Sequence, residues 1–285
     1  MSNPFVHVFA LSMLVFSGVA QARLAAGETW RLQSSQPAPW APETAMGGPQ
    51  PPADWHIEAD RMSGPAALAC SAARHSFTRL PPEALFEGNL PPPAEQAAKR
   101  LGLPAGMLIT QRIICDSGSF DLHRDVAGHA WLGLDNRVLR FDLVAVTSSP
   151  EATVQALLIA HFDTGMALNP ASVAAKAQSL TPALQQRLHH WLAVPPSPDE
   201  VPDLNGDPFT DSQEPPLSFE LVSSRVDGAA AEVTVRFEFE GDQAPGPGPA
   251  SQRNVVMQLI LVDGSWRIDE LRYADGSRLS QLLGR

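Results

Sequence analysis

The chain has 285 residues, 44% of them apolar and 18% charged. That balance builds one or two packed domains and excludes a disordered tail, a collagen or a membrane helix bundle. The formal charge is -11, and residues 151–285 hold 18 carboxylates against 9 cationic side chains. Lys99 and Lys176 are the only lysines and the arginines are scattered, so no basic stripe suits nucleic acid or an anionic lipid surface.

Phe5–Val19 is an apolar run broken only by His7, Ser12, Ser17 and Gly18, and Val19-Ala20-Gln21-Ala22 follows. Small residues after a short apolar run predict an export signal over residues 1–22, cleaved after Ala22. A retained anchor and a buried helix are the alternatives, because the first basic residue is Arg23, after the run. The expected location is the periplasm or the medium. Cys70 and Cys115 are the only cysteines. In an oxidising compartment they are expected to form a disulfide, whereas in the cytosol they read as two buried thiols.

Residues 23–54 read as a Pro-rich linker, with six prolines between residues 32 and 53. A β-rich N-terminal domain is expected over residues 55–148. Its strands are Trp55–Met62, Leu108–Cys115 and Phe120–Val126, with a short helix at Pro93–Leu101. Asp135-Asn136 predicts a tight hairpin turn that sets Leu132 opposite Leu139 and Ala130 opposite Phe141. The pattern suits a small antiparallel sheet or an open barrel.

Thr147-Ser148-Ser149-Pro150 marks the expected boundary to a second domain over residues 149–285. Pro150–Met166 has helical spacing, and Thr181-Pro182 is a helix start with Thr at the cap. Four strands follow, at Leu217–Val222, Ala231–Glu240, Asn254–Val262 and Trp266–Tyr273, then a short helix at Arg278–Leu283. Within Ala231–Glu240, Val233, Val235, Phe237 and Phe239 share one face. Residues 242–251 read as a long hairpin tip.

Several motifs of this half occur in a fixed order. They are Ser149-Pro150-Glu151 with His161-Phe162, Leu180-Thr181-Pro182-Ala183-Leu184, and Asp207-Pro208-Phe209-Thr210-Asp211-Ser212-Gln213. Gly264-Ser265-Trp266-Arg267-Ile268-Asp269 and Asp275-Gly276-Ser277-Arg278-Leu279 complete the set. On these residues the second half resembles the bacterial domain-of-unknown-function 3828 family, with a nuclear-transport-factor-like, cystatin-like α+β fold. The resemblance implies a helix-plus-curved-antiparallel-sheet C-terminal module and an exported bacterial protein. It transfers no catalytic residue.

Candidate sites are weak. His161 lies on the apolar stripe of its helix, and with Asp163 it is the candidate pair for a pocket of the C-terminal domain. A histidine satisfied within the core is the competing reading. Asp203, Asn205, Asp207, Asp211 and Glu214 match the oxygen spacing of a calcium loop. Pro208 stands where that loop needs glycine, so an acidic loop leading into a strand is the competing reading. Asp121, His123 and Asp125 alternate along a strand before His129, as metal ligands or as a solvated face. His189 and His190 diverge around their helix. No catalytic metal, cofactor or nucleophile signature is present in the sequence.

The expected function is a non-catalytic binding or interaction protein of the bacterial envelope. Its partner would be another envelope protein or a small ligand, with no nucleic acid and no membrane span after signal cleavage. A small-molecule enzyme of isomerase or hydrolase type in the C-terminal pocket is the alternative. Mass spectrometry of the exported chain should find Arg23 at the N-terminus; an intact Met1 terminus in the membrane fraction would establish the anchor instead.

Overall fold

The computed structural model of the chain describes residues 26–42, 54–194, 204, 206–240 and 251–284. The expected export signal over residues 1–22 and the expected hairpin tip, apart from Ser251, lie outside these residues. In chain order, β1 is Glu28–Pro37, β2 Asp54–Ile57, β3 Arg61–Ser63, β4 Cys70–Ser71 and β5 Arg74–Leu80. Helix α1 (Ala94–Arg100) precedes a meander of β6 (Leu108–Cys115), β7 (Gly118–Arg124), β8 (His129–Leu134) and β9 (Arg137–Val146). Helices α2 (Pro150–Asp163), α3 (Pro170–Ala175) and α4 (Pro182–Ala193) follow. Strands β10 (Ser218–Asp227), β11 (Ala230–Phe239), β12 (Ser251–Val262) and β13 (Ser265–Arg272) lead to the short α5 (Leu279–Leu282).

The expected division into a small β-rich module and a separate helix-plus-curved-sheet module is wrong. All thirteen strands belong to one sheet, in the order β13-β12-β11-β10-β5-β6-β7-β8-β9-β1-β2-β3-β4, and every pair is antiparallel. The seam is short. Strand β10 meets β5 through Ser218↔Thr78 and Phe219↔Phe77, and the Phe77 and Phe219 rings stack with centroids 4.7 Å apart. No local pattern announces this pairing, because its two strands are far apart in the chain.

The Pro-rich stretch also departs from expectation. Residues Glu28–Pro37 form a strand between β9 and β2, not a linker. Trp30 at 0% and Leu32 at 8% exposure supply its apolar face. Conversely, Trp55–Met62 divides into β2 and β3, which pair through Ile57↔Met62. The β8–β9 hairpin keeps the register read from sequence, with Leu132 opposite Leu139 and Ala130 opposite Phe141. Its turn residues Asp135 and Asn136 both adopt positive φ, as a primed turn requires.

One sheet face carries most of the core. Around β10–β13, Leu158, Phe162, Leu184 and Leu188 of α2 and α4 pack on Val233, Val235 and Phe237. Thr181 caps α4 by accepting from the Leu184 N–H at 3.1 Å. Around β6–β9 the strands β1–β4 curl back over the same face, enclosing Trp30, Trp55, Ile113, Leu132 and Phe141. Among the described residues, α1 and residues 82–90 cover the opposite face at Trp131 and Val138. Among the described residues no helix is long and apolar enough to cross a membrane.

The curled strands are closed covalently. Cys70 of β4 is bonded to Cys115 of β6, with the two Cα atoms 5.8 Å apart. The bond ties the last strand in the sheet order back to the middle of the sheet. Its closed loop of 45 residues corresponds to about 4 kcal/mol of unfolded-state entropy. The Cys70→Ala, Cys115→Ala double variant is therefore expected to lose about 4 kcal/mol of stability in chemical denaturation. A loss below about 1 kcal/mol would show that β4 is held by its other contacts.

Candidate functional site

The structure brings together two sequence candidates that the sequence held apart. His161, 0% exposed, points its Nε2 at Asp207 Oδ2, 2.8 Å away. A carboxylate accepts, so Nε2 carries the proton. Nδ1 has no hydrogen-bonding partner among the described residues. The ring is wedged between Phe162 and Phe209, at centroid distances of 5.7 and 4.9 Å. Asp163, the partner expected from sequence, is exposed at the end of α2 and takes no part.

Asp207 is committed to its own loop as well. It accepts from Thr210 Oγ1 at 2.7 Å and from the Phe209 N–H at 3.3 Å. Its backbone N–H donates to Ser212 O. Lys176 is also buried here, over the Phe209 ring, and donates from Nζ to Ser172 O at 2.9 Å. Burial pulls its pKa down to about 8, against the opposing pull of Asp207. The space under the sheet where a pocket was expected is occupied by Phe162, Phe209, Phe219 and Phe237.

Of the calcium-loop set, the described members Asp207, Asp211 and Glu214 form no group that could hold a metal. Asp203 and Asn205 lie outside the described residues. Asp207 faces His161, burial raises the Asp211 pKa, and Glu214 is exposed. Among the described residues no group of three or more His, Cys, Asp or Glu side chains could hold a metal.

Strand β7 departs from the solvated face expected of it. Asp121 is held by Arg112 through two hydrogen bonds, from Nε at 2.8 Å and from Nη2 at 2.6 Å. His123 is 0% exposed. The Phe86 N–H donates to its Nε2 at 2.9 Å, so its proton sits on Nδ1 and goes to Thr110 Oγ1 at 2.8 Å. Both ring nitrogens are thereby used in a neutral tautomer, and burial holds the pKa at about 4. Asp125 binds His129 instead, at 2.8 Å. His189 and His190 are exposed on α4.

The largest polar assembly is one that the sequence reading missed. Glu28 and Arg124, each 5% exposed, form a two-pronged ion pair at 2.8 and 3.0 Å. Trp30 Nε1 and Gln155 Nε2 also donate to Glu28, at 2.9 and 2.8 Å. Arg124 Nη1 continues to Gln111 Oε1, 2.7 Å away. Gln111 Nε2 then meets His75 Nδ1 at 3.2 Å, and His75 Nε2 donates to Glu58 O at 3.1 Å. The direction of every bond follows from the carbonyl at one end and the guanidinium at the other. His75 is therefore neutral too, and burial lowers its pKa to about 4. No sequence signal marks this chain, because its members come from β1, β5, β6, β7 and α2.

Several cavities open to solvent on other surfaces. A groove of about 420 Å³ crosses the β10–β13 end, with Asp227, Glu232 and Glu270 beside Ala230, Leu259 and Ile260. A polar cleft of about 340 Å³ overlies the β5–β10 seam. A third, of about 290 Å³, lies between Trp40, Phe86 and the β8–β9 turn. Compared with protein-family models, with curated proteins and with solved structures, the chain matches none of them.

The two neutral histidines set a pH dependence. His75 and His123 have pKa values of about 4 when folded and about 6.5 when unfolded. Between those values the unfolded chain binds more protons, so stability falls as pH drops from about 6.5 towards about 4. Each histidine contributes up to about 1.4 kcal/mol per pH unit in that window. Urea denaturation at a series of pH values should show this slope, reduced in His123→Gln. A flat profile would mean that neither ring is held neutral.

Proposed function

We propose that the protein is an exported, non-catalytic interaction module of the bacterial envelope, docking a basic segment of a partner protein. The reading is supported by how its polar groups are divided. His75, His123, His161 and Lys176, the residue types suited to acid–base chemistry, are buried and bonded to the fold. The open groove across β10–β13 instead combines carboxylates with an apolar floor.

That groove supports the choice of partner. Ile260 is 38% exposed in its lining, beside Ala230 and Leu259, and Arg225 is the cation among the lining residues. A segment alternating arginine or lysine with apolar residues would satisfy both parts of the surface, and the acidic half would steer its approach. The disulfide suits an oxidising compartment.

A photocrosslinker placed at Ile260 in the exporting host should trap one discrete adduct. The adduct should be lost when Asp227→Asn and Glu232→Gln are combined. Hydrolysis or isomerisation of a substrate panel by the purified protein, abolished by His161→Ala with the fold retained, would replace this reading with the enzyme.

A further inference from the structure

The third cavity is lined by residues of β7, β8 and their neighbours, none of them shared with the acidic groove, and is independent of it. Its floor is aromatic. The Trp40 and Phe86 rings meet at 5.3 Å and 41°. Trp40 is half-buried. It is placed by a turn in which the Ala38 N–H donates to Asn136 O and the Ala41 N–H to Ala38 O, both at 2.9 Å. Gly133 of β8 makes room for both rings. A Cβ there would lie 3.3 Å from Phe86 Cδ1 and 3.5 Å from Trp40.

The wall beside the floor is held in an unusual backbone shape. Phe86 and Glu87 both have positive φ, at 52° and 59°. Two consecutive non-glycine residues in this region cost energy that surrounding contacts must supply. Here His123 takes the Phe86 N–H, Asn89 Nδ2 donates to Phe86 O at 2.8 Å, and the Phe86 ring stands edge-on to His123 at 4.5 Å. The result holds the Phe86 ring in the floor and leaves Glu87 exposed at the rim.

The rim is rich in acceptors. Glu87, Asp121, Asp135, Asn136 and Ser119 line it, with no lysine or arginine among the lining residues described. Arg112 neutralises Asp121 from outside the cavity. His123 is locked neutral, so no positive charge comes from the floor. Glu87 and Asp135 therefore leave a net negative rim over aromatic faces. An anion is repelled, and a neutral polyol brings as many acceptors as donors to a rim that needs donors.

We propose that this pocket binds a guanidinium group. A guanidinium offers only donors, forks onto a carboxylate and stacks its weakly hydrated plane on an indole. The group could come from a free small molecule or from an arginine side chain of another protein.

Isothermal titration of the purified mature protein tests this with three guanidinium probes: arginine amide, agmatine and acetyl-Gly-Arg-Gly-amide. Citrulline amide is the neutral isostere. Saturable binding is expected for the guanidinium probes and none for citrulline amide. Trp40→Leu and Asp135→Asn should each weaken it about tenfold or more, with unchanged circular dichroism and melting. Glu87→Gln, at an exposed position, is the further variant should Trp40→Leu unfold. Comparable binding of agmatine and the peptide assigns the site to a free cation; binding of the peptide alone assigns it to a partner's arginine. No saturable binding of any guanidinium probe, equal binding of citrulline amide, or unchanged affinity in the variants would overturn the proposal. None of these failures bears on the crosslink at Ile260, so the two readings stand or fall separately.

Discussion

The buried ion pair between Glu28 and Arg124 is the constraint on which the N-terminal half depends. Two charges at 5% exposure each persist because most of their hydrogen-bonding capacity is met, with Arg124 Nε the one atom of the pair left without a partner among the described residues. Glu28 receives donors from Arg124, Trp30 and Gln155. These partners belong to β7, β1 and α2, so one carboxylate pins the first strand to the middle of the sheet and to the helix that opens the C-terminal half. Strand β1 in turn carries β2, β3 and β4, and β4 carries the disulfide. Leaving Arg124 buried without its carboxylate would cost about 3–5 kcal/mol.

Helix α2 shows the same logic from the other side. It presents Leu157, Leu158 and Phe162 to the C-terminal core and Gln155 to the ion pair. A helix buried on so many sides cannot display a simple amphipathic stripe. That is why a pocket base stayed open for His161 beside the favoured reading as a core residue. Its bond to Asp207 settles its surroundings: the imidazole anchors the acidic loop, and the loop closes over it.

Polar groups are consequently sorted by depth. The interior histidines and Lys176 are bonded to backbone, hydroxyl, amide or carboxylate partners. The surface keeps carboxylates beside exposed apolar and aromatic side chains, in the groove across β10–β13 and in the pocket beneath Trp40. Cations and basic partners are the chemistry that such surfaces complement.

What was legible in the sequence was local. Alternation in Ala230–Phe239, the Asp135-Asn136 turn with its register, the Thr181 cap and the single available cysteine pair all follow from short-range rules of period, turn geometry and capping. Local signals also failed in identifiable places. Prolines masked β1 because only its first residues bury an apolar face, and alternation in β7 suggested a wet face that residues 82–90 in fact cover at His123. Tertiary structure alone decided that the halves share one sheet, that Asp207 and not Asp163 meets His161, and that four elements converge on Glu28 and Arg124. The stabilisation of each comes from groups far apart in the chain, whose burial and hydrogen bonding exist only once the sheet has closed.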